Sequence, residues 1–202
     1  MCIIDIKTIF VTCGATIPFP KLISSVLSDV FCQELIQYGF VRLIIQFGKD
    51  YGPAFENLVQ EHGGKREYKN IPIEELGCGE AARQYSLMDG KLEVIGFEYS
   101  TKVQSIIQNL SNLVISHAGT GSILDSLRLN RPLVVCVNDS LMDNHQQQIA
   151  DKFVKLGYVW SCAPSVTSLI ASLRASQTEK LKPFPVSHNS SFERLLSGVI
   201  YS

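Results

Sequence analysis

The sequence predicts an α/β protein on a doubly wound, mostly parallel sheet, and three observations carry that expectation. Apolar, β-branched runs recur along the 202 residues, stretches of helical period separate them, and glycine stops close several of those stretches. Runs that are apolar on both faces suit strands covered by helices on each side. Alternation of the two types argues for parallel crossovers.

TIFVTC, Thr8 to Cys13, reads as the first strand. Lys21 to Tyr38 follows as a helix closed by Gly39, a residue that readily takes the left-handed closing conformation. FVRLIIQF, Phe40 to Phe47, is the second strand. Gly48 to Gly90 breaks the rhythm with the turn-like GKDYGP and ELGCGE, and reads as a surface excursion (48–90) with a helix near Ala54 to Glu61 and a short strand pair. LEVIGF (Leu92 to Phe97) is a strand, Thr101 to Leu110 a helix, and NLVISHA (Asn112 to Ala118) a strand. Ser122 to Leu129 is a helix, PLVVCV (Pro132 to Val137) a strand, and Asn144 to Leu156 a helix stopped by Gly157. YVWSC (Tyr158 to Cys162) and Thr167 to Ala175 complete a domain over residues 1–175.

Residues 176–202 form a tail, where Pro183 and Pro185 break helix. In its last segment Phe192, Leu195, Leu196, Val199 and Ile200 fall at i, i+3, i+4, i+7 and i+8, one face of a short helix. That face either packs on its own domain or meets a partner.

Composition removes several functional classes. With 18 basic and 19 acidic residues the net charge is -1, too little for a nucleic-acid footprint. The six cysteines form no C-x-x-C pair, and Cys13 and Cys136 lie in apolar runs, which suits free thiols in a reducing cytosol. The first ten residues, MCIIDIKTIF, include Asp5 and Lys7 and do not read as a signal peptide. No apolar run approaches the roughly 18 to 20 residues of a membrane-spanning helix.

In open parallel sheets ligands bind outside the carboxyl ends of the strands. Here those positions hold CGATIPFP, Phe97-Glu98, HAGTGS and NDSLMDNHQQQ. The small residues of HAGTGS let backbone approach a ligand, and free N–H groups of the following helix point at it, an arrangement suited to an anion. A helix-end field contributes only about 0.3 to 2 kcal/mol, whereas millimolar binding needs roughly 4 kcal/mol. A phosphate cradle therefore needs further contacts on the same ligand. Asp125 can supply one by accepting from ribose hydroxyls, or, in the pattern Ser122-x-x-Asp125, can close a capping box. Both readings stay open.

In the next cluster Gln146 precedes an apolar stripe of Ile149, Ala150, Phe153 and Val154, with Asp143 near the helix start. An acid and an amide facing a crevice suit sugar hydroxyls, while the plainer reading makes Asp143 or Asn144 an N-cap and leaves the glutamines solvated. His117 ends a strand and is either structural or a base. The dinucleotide pattern begins at Gly119-Thr-Gly121 but meets Leu124 where its third glycine belongs, and neither a P-loop nor G-x-S-x-G occurs.

FVTCGAT (10–16), SHAGTGSILDSLRLNRP (116–132) and VNDSLMDNHQQQIADKF (137–153) resemble the carboxyl-terminal, nucleotide-sugar-binding half of two-domain GT-B glycosyltransferases. That family includes the bacterial muropeptide GlcNAc transferase and the catalytic subunits of eukaryotic two-subunit UDP-GlcNAc transferases of dolichol-linked oligosaccharide synthesis. To the eukaryotic subunits the likeness runs nearly end to end, and to the wider family it covers the nucleotide half.

The resemblance implies that His117, Gly119, Thr120 and Gly121 face the donor diphosphate, with Ser116 and Ser122 in the same segment and Asp125 on the ribose. It places Asp143, His145 and Gln146 at the sugar, Gly14 and Thr16 in the first turn, and Phe97 and Glu98 near the uracil edge. The family usually has Glu at position 125, the bacterial enzyme has Gln at 145, and Gly14-Ala15-Thr16 replaces a glycine-richer turn.

The implied reaction moves GlcNAc from UDP-GlcNAc to the 4-hydroxyl of GlcNAc-diphosphodolichol with inversion, without metal or cofactor. His117, or a group on a partner, is the base. The implied partner is a membrane-anchored subunit that supplies the acceptor half and recruits this chain to the cytosolic face of the endoplasmic reticulum, docking on the Phe192 to Ile200 face. A non-catalytic nucleotide-sugar-binding regulator and an NAD-linked oxidoreductase are the alternatives.

Overall fold

The computed structural model describes residues 6–67, 73–137 and 144–185. Its strands are β1 Thr8–Thr12, β2 Arg42–Gln46, β3 Lys65–Arg66, β4 Arg83–Leu87, β5 Leu92–Phe97, β6 Leu113–His117, β7 Leu133–Cys136 and β8 Trp160–Cys162. They form one sheet in the order β3-β4-β5-β2-β1-β6-β7-β8. From β5 to β8 every neighbouring pair is parallel, with Thr12 opposite both Gln46 and Ser116. β4 joins β5 antiparallel, and β3 joins β4 antiparallel.

The helices are α1 Pro20–Leu27, α2 Asp29–Gln37, α3 Gly52–Glu61, α4 Ile73–Leu76, α5 Val103–Ser105, α6 Thr120–Arg128, α7 Asn144–Leu156 and α8 Val166–Thr178. Strand alternation divides their partners between two cores. Ile9, Val11, Leu43, Ile45, Leu113 and Ile115 pack with residues of α1, α2, α3 and α8. Phe10, Ile44, Ile95, Val114, Leu133 and Val135 pack on the other face with α6 and α7. The apolar runs of the sequence are apolar throughout because both faces are covered.

Several boundaries depart from the sequence reading. The expected helix Lys21 to Tyr38 is two helices broken at Ser28, whose backbone is extended (ψ 142) and whose Oγ accepts from the Phe31 N–H at 3.4 Å. A serine that offers its hydroxyl to backbone starts a helix more readily than it continues one. Thr101 to Leu110 is a short α-turn followed by a π-helix over Ile106–Leu110. The helix expected from Ser122 begins at Thr120. In α7, Ile149, Ala150 and Phe153 are buried as the stripe requires, but Val154 is exposed.

Within 48–90, the helix expected near Ala54 to Glu61 is α3 and the expected strand pair is β3–β4, but α3 and β4 also pack into the core rather than forming only a surface excursion. Phe55 of α3 is fully buried, stacks on Phe47 at 4.8 Å between ring centroids and meets Tyr85 of β4 edge-on at 6.2 Å. Its ring fills the space beside Gly96, where a Cβ would lie 2.3 Å from Phe55 Cε1. β5 therefore carries a glycine where α3 presses an aromatic onto it.

At the other end of the domain the chain turns back after α8. The Lys182 N–H donates to the Gly157 carbonyl at 2.9 Å, and Phe184 is buried between the rings of Phe153 and Tyr158, at 6.2 and 5.2 Å.

Candidate functional site

β1 lies between β2 and β6, so the crossovers diverge there and a crevice opens outside the carboxyl ends of β1 and β6. Two turns meet at it, Cys13 to Thr16 after β1 and Ala118-Gly119 after β6. Thr12 organises the junction. Its buried hydroxyl donates to Gln46 Oε1 at 2.8 Å and accepts the Gly14 N–H at 3.1 Å. Its carbonyl lies 3.2 Å from His117 Nδ1.

A carbonyl only accepts, so His117 Nδ1 carries the hydrogen and Nε2 of the neutral ring keeps its lone pair. Burial pushes the His117 pKa below its ordinary value, an effect larger than the opposing pull of the Thr12 contact. At neutral pH the site thus holds an uncharged imidazole that can accept a proton at Nε2.

The two flanking glycines are shaped by that ring. Gly14 has φ +80, a left-handed conformation, and a Cβ on it would lie 3.1 Å from His117 Cε1. Gly119 has an ordinary extended backbone (φ -72, ψ 124), yet a Cβ there would stand 2.4 Å from His117 Nε2. Space, rather than backbone conformation, demands glycine at 119. Gly121 differs from both, because a Cβ on it meets nothing within 4 Å. Its face of α6 stays open to a ligand.

Gly119 is the N-cap of α6, and no side chain caps the helix. The first-turn N–H groups at Thr120, Gly121 and Ser122 have no carbonyl one turn back within the helix, so they present a donor set to the crevice. The capping-box reading of Ser122 and Asp125 is overturned: Ser122 is the third helical residue, and Asp125 stands a turn beyond it. The Asp125 carboxylate instead accepts from Gln104 Nε2 at 3.0 Å. Asp125 also borders an open depression of about 560 Å³ whose other wall is Ser100 to Ser105, just after β5. Acceptor oxygens thereby stand beside the segment that follows Glu98.

The remaining expected residues divide. Glu98 is half-buried and Thr16 exposed, both at carboxyl strand ends. Phe97 is fully buried in the second core and its carbonyl accepts from the Phe47 N–H at 3.0 Å, so its side chain is a core group rather than a wall for a base. Ser116 is likewise fully buried, its hydroxyl donating to the His117 carbonyl at 2.6 Å, which makes it a brace for the turn. Asp143, the side chains of His145 and Gln146, and Phe192, Leu195, Leu196, Val199 and Ile200 lie outside the described residues.

Sequence reasoning missed Thr12 and Gln104. The signal for Thr12 was a hydroxyl at the end of an otherwise apolar run, but Gln104 has meaning only through the tertiary contact with Asp125. Cys13, beside the first turn, is buried and its thiol is pushed up to about 12, so it is no nucleophile at neutral pH. Among the described residues no group of three or more His, Cys, Asp or Glu can hold a metal.

The family model described as glycosyltransferase family 28 C-terminal domain matches residues 8–199. The chain is 77% identical over 202 residues, 100% of both chains, to the UDP-N-acetylglucosamine transferase subunit ALG13 of Saccharomyces cerevisiae. It is 44% identical to the subunit of the same name from Kluyveromyces lactis, over 96% of this chain and 98% of that one. Among solved structures, the NMR structure of ALG13 matches with TM-score 0.79 at 77% identity over the whole of both chains. Acinetobacter baumannii MurG matches with TM-score 0.53 at 14% identity, over 89% of this chain and 43% of that one, a likeness of fold.

Proposed function

The chain belongs to the glycosyltransferase family 28 C-terminal domain family, and from that premise we propose that it is the donor-binding, catalytic subunit of a heteromeric UDP-GlcNAc transferase. The reaction is transfer of GlcNAc from UDP-GlcNAc to the 4-hydroxyl of GlcNAc-diphosphodolichol, with inversion. One observation carries the reading: the uncapped N-terminus of α6 and an uncharged His117 with a free Nε2 stand together at the switch point of the sheet.

Each part has a chemical role. The acceptor O4 forms a bond to the anomeric carbon while the bond from that carbon to the diphosphate oxygen breaks, and UDP leaves with the electron pair. The α6 N–H groups stabilise the negative charge that grows on the diphosphate, without a metal. The acceptor proton passes to His117 Nε2. An unprotonated Nε2 cannot donate to a phosphate, which favours the base role over diphosphate binding for this ring. Inversion places nucleophile and leaving group on opposite faces of the anomeric carbon, so that carbon lies between Nε2 and the phosphates over Thr120 to Ser122.

The acceptor half is assigned to a membrane-anchored partner. Two facts support that: the ALG13 relatives are named as subunits, and no helix among the described residues is long and apolar enough to cross a membrane. The partner recruits the chain to the cytosolic face of the endoplasmic reticulum, with the apolar face of Phe192, Leu195, Leu196, Val199 and Ile200 as the proposed docking element. Deletion of residues 190–202 is expected to abolish co-purification with the partner. Undiminished co-purification refutes the docking role.

Reconstitution tests the function: the chain, its partner, UDP-GlcNAc and a lipid-linked GlcNAc together should yield the lipid-linked disaccharide. UDP-GlcNAc binding without product under those conditions would leave a binding module rather than an enzyme. In the active assay Asp125→Ala removes acceptors for the ribose hydroxyls and should raise the KM for UDP-GlcNAc about tenfold, the loss expected for one charged hydrogen bond. An unchanged KM removes Asp125 from the donor site.

A further inference from the structure

We propose that the amino-end edge of the sheet carries a second binding site, for an amphiphile with a phosphate head group. This site is independent of the transfer reaction. A cavity of about 500 Å³ lies there, at the starts of β7 and β8, the opposite edge from His117. Its size is that of an ordinary small-molecule pocket.

The walls are of two kinds. Trp160 and Phe184 give it an apolar side, and Phe184 is held in place by the return of the chain after α8 described above. Arg131, Lys180 and Lys182 give it cationic groups. Arg42, Arg83 and Arg174, by contrast, each hold a carboxylate, at 2.5, 2.6 and 2.7 Å. Arg131, Lys180 and Lys182 have no carboxylate partner among the described residues.

Glu179 is the acid in the lining, and its Oε2 accepts the Trp160 indole N–H at 2.9 Å. Arg131 donates from Nη2 to the Gln108 carbonyl, while its buried Nε has no partner among the described residues. The cavity therefore joins an excess of cationic donors to an apolar wall. An ion without an apolar body would leave that wall wet, and an uncharged lipid would leave the cations unanswered. A phosphate on an apolar chain answers both.

Trp160 is the sole tryptophan, so all tryptophan emission comes from a residue that lines this cavity. The full chain, titrated with dihexanoyl phosphatidic acid below its micelle concentration, is expected to show a saturable change in emission. Dihexanoyl phosphatidylcholine should bind about tenfold more weakly, as should inorganic phosphate in competition, each lacking one half of the recognition. Lys180→Gln with Lys182→Gln, two exposed positions whose change leaves the core intact, should weaken the phosphatidic acid response about tenfold. Saturating UDP should leave it unaltered, which separates this site from the donor site. The inference is overturned by the absence of a saturable change, by equal binding of the two lipids, by phosphate competing as well as the lipid binds, by an unaltered double variant, or by competition from UDP.

Discussion

Gly119→Ala in the reconstituted transferase is expected to lower kcat/KM by about a hundredfold, the scale of effect produced by a displacement of roughly 1 Å at a reacting group. The methyl would occupy a point 2.4 Å from His117 Nε2, and the imidazole has little room to yield. Its Nδ1 is tied to the Thr12 carbonyl at 3.2 Å, and the same Cε1–Nε2 edge already lies close to Gly14, where a Cβ would stand 3.1 Å from Cε1 and 3.2 Å from Nε2. Either the ring swings off Thr12, losing the hydrogen bond that fixes its tautomer, or the start of α6 moves away with its N–H groups. Both outcomes damage the site while leaving the two cores intact. The contrast is Gly121→Ala, whose methyl meets nothing within 4 Å of its own chain. That change should stabilise the fold by about 0.4 to 1 kcal/mol in a urea titration, yet raise the KM for UDP-GlcNAc, because the methyl enters the open face. A Gly119→Ala enzyme within about threefold of the parent would show that the histidine position is immaterial.

The same pair of glycines marks how far the sequence could be read. Periodicity located the parallel strands from β1 to β8 and the glycine stops at 39 and 157, because apolar runs covered on both faces leave a local signature. The strand ends then pointed to His117, Gly119 and Asp125 without any knowledge of the packing. Why Gly119 is glycine was not legible, since the reason is a ring two residues away whose direction is set by Thr12 across the sheet. The split at Ser28 was hidden because its apolar stripe continues through the break. A short strand pair was expected within 48–90, but RQYSL is too short and mixed to locate β4 or to show that it pairs with β5 as part of the main sheet. Phe97 shows the converse limit: it follows Ile95 at i+2 onto the same covered face, so a place at the carboxyl end of a strand does not by itself put a side chain at the ligand.

The second large effect concerns His117 itself. His117→Gln should lower kcat by about 10² to 10⁴, the usual contribution of a positioned general base. Loss of activity alone does not distinguish a base from a brace, so the pH profile decides. Burial lowers the His117 pKa, and the base is active when unprotonated. The parent enzyme should therefore hold a plateau in kcat/KM above about pH 6.5 and fall tenfold per unit on the acid side, with a midpoint below the ordinary histidine value. In His117→Gln that acid limb should vanish from the residual activity. The same shift acts on folding. Between the folded pKa and about 6.5 the unfolded chain holds a proton that the folded chain does not, so stability rises with pH across that window and is lost as pH falls through it. Urea midpoints measured across the window should show that slope in the parent and less of it in the variant. An acid limb with its midpoint above 6.5, or one retained unchanged in His117→Gln, would assign the proton transfer to another group, and the partner subunit would be the place to look for it.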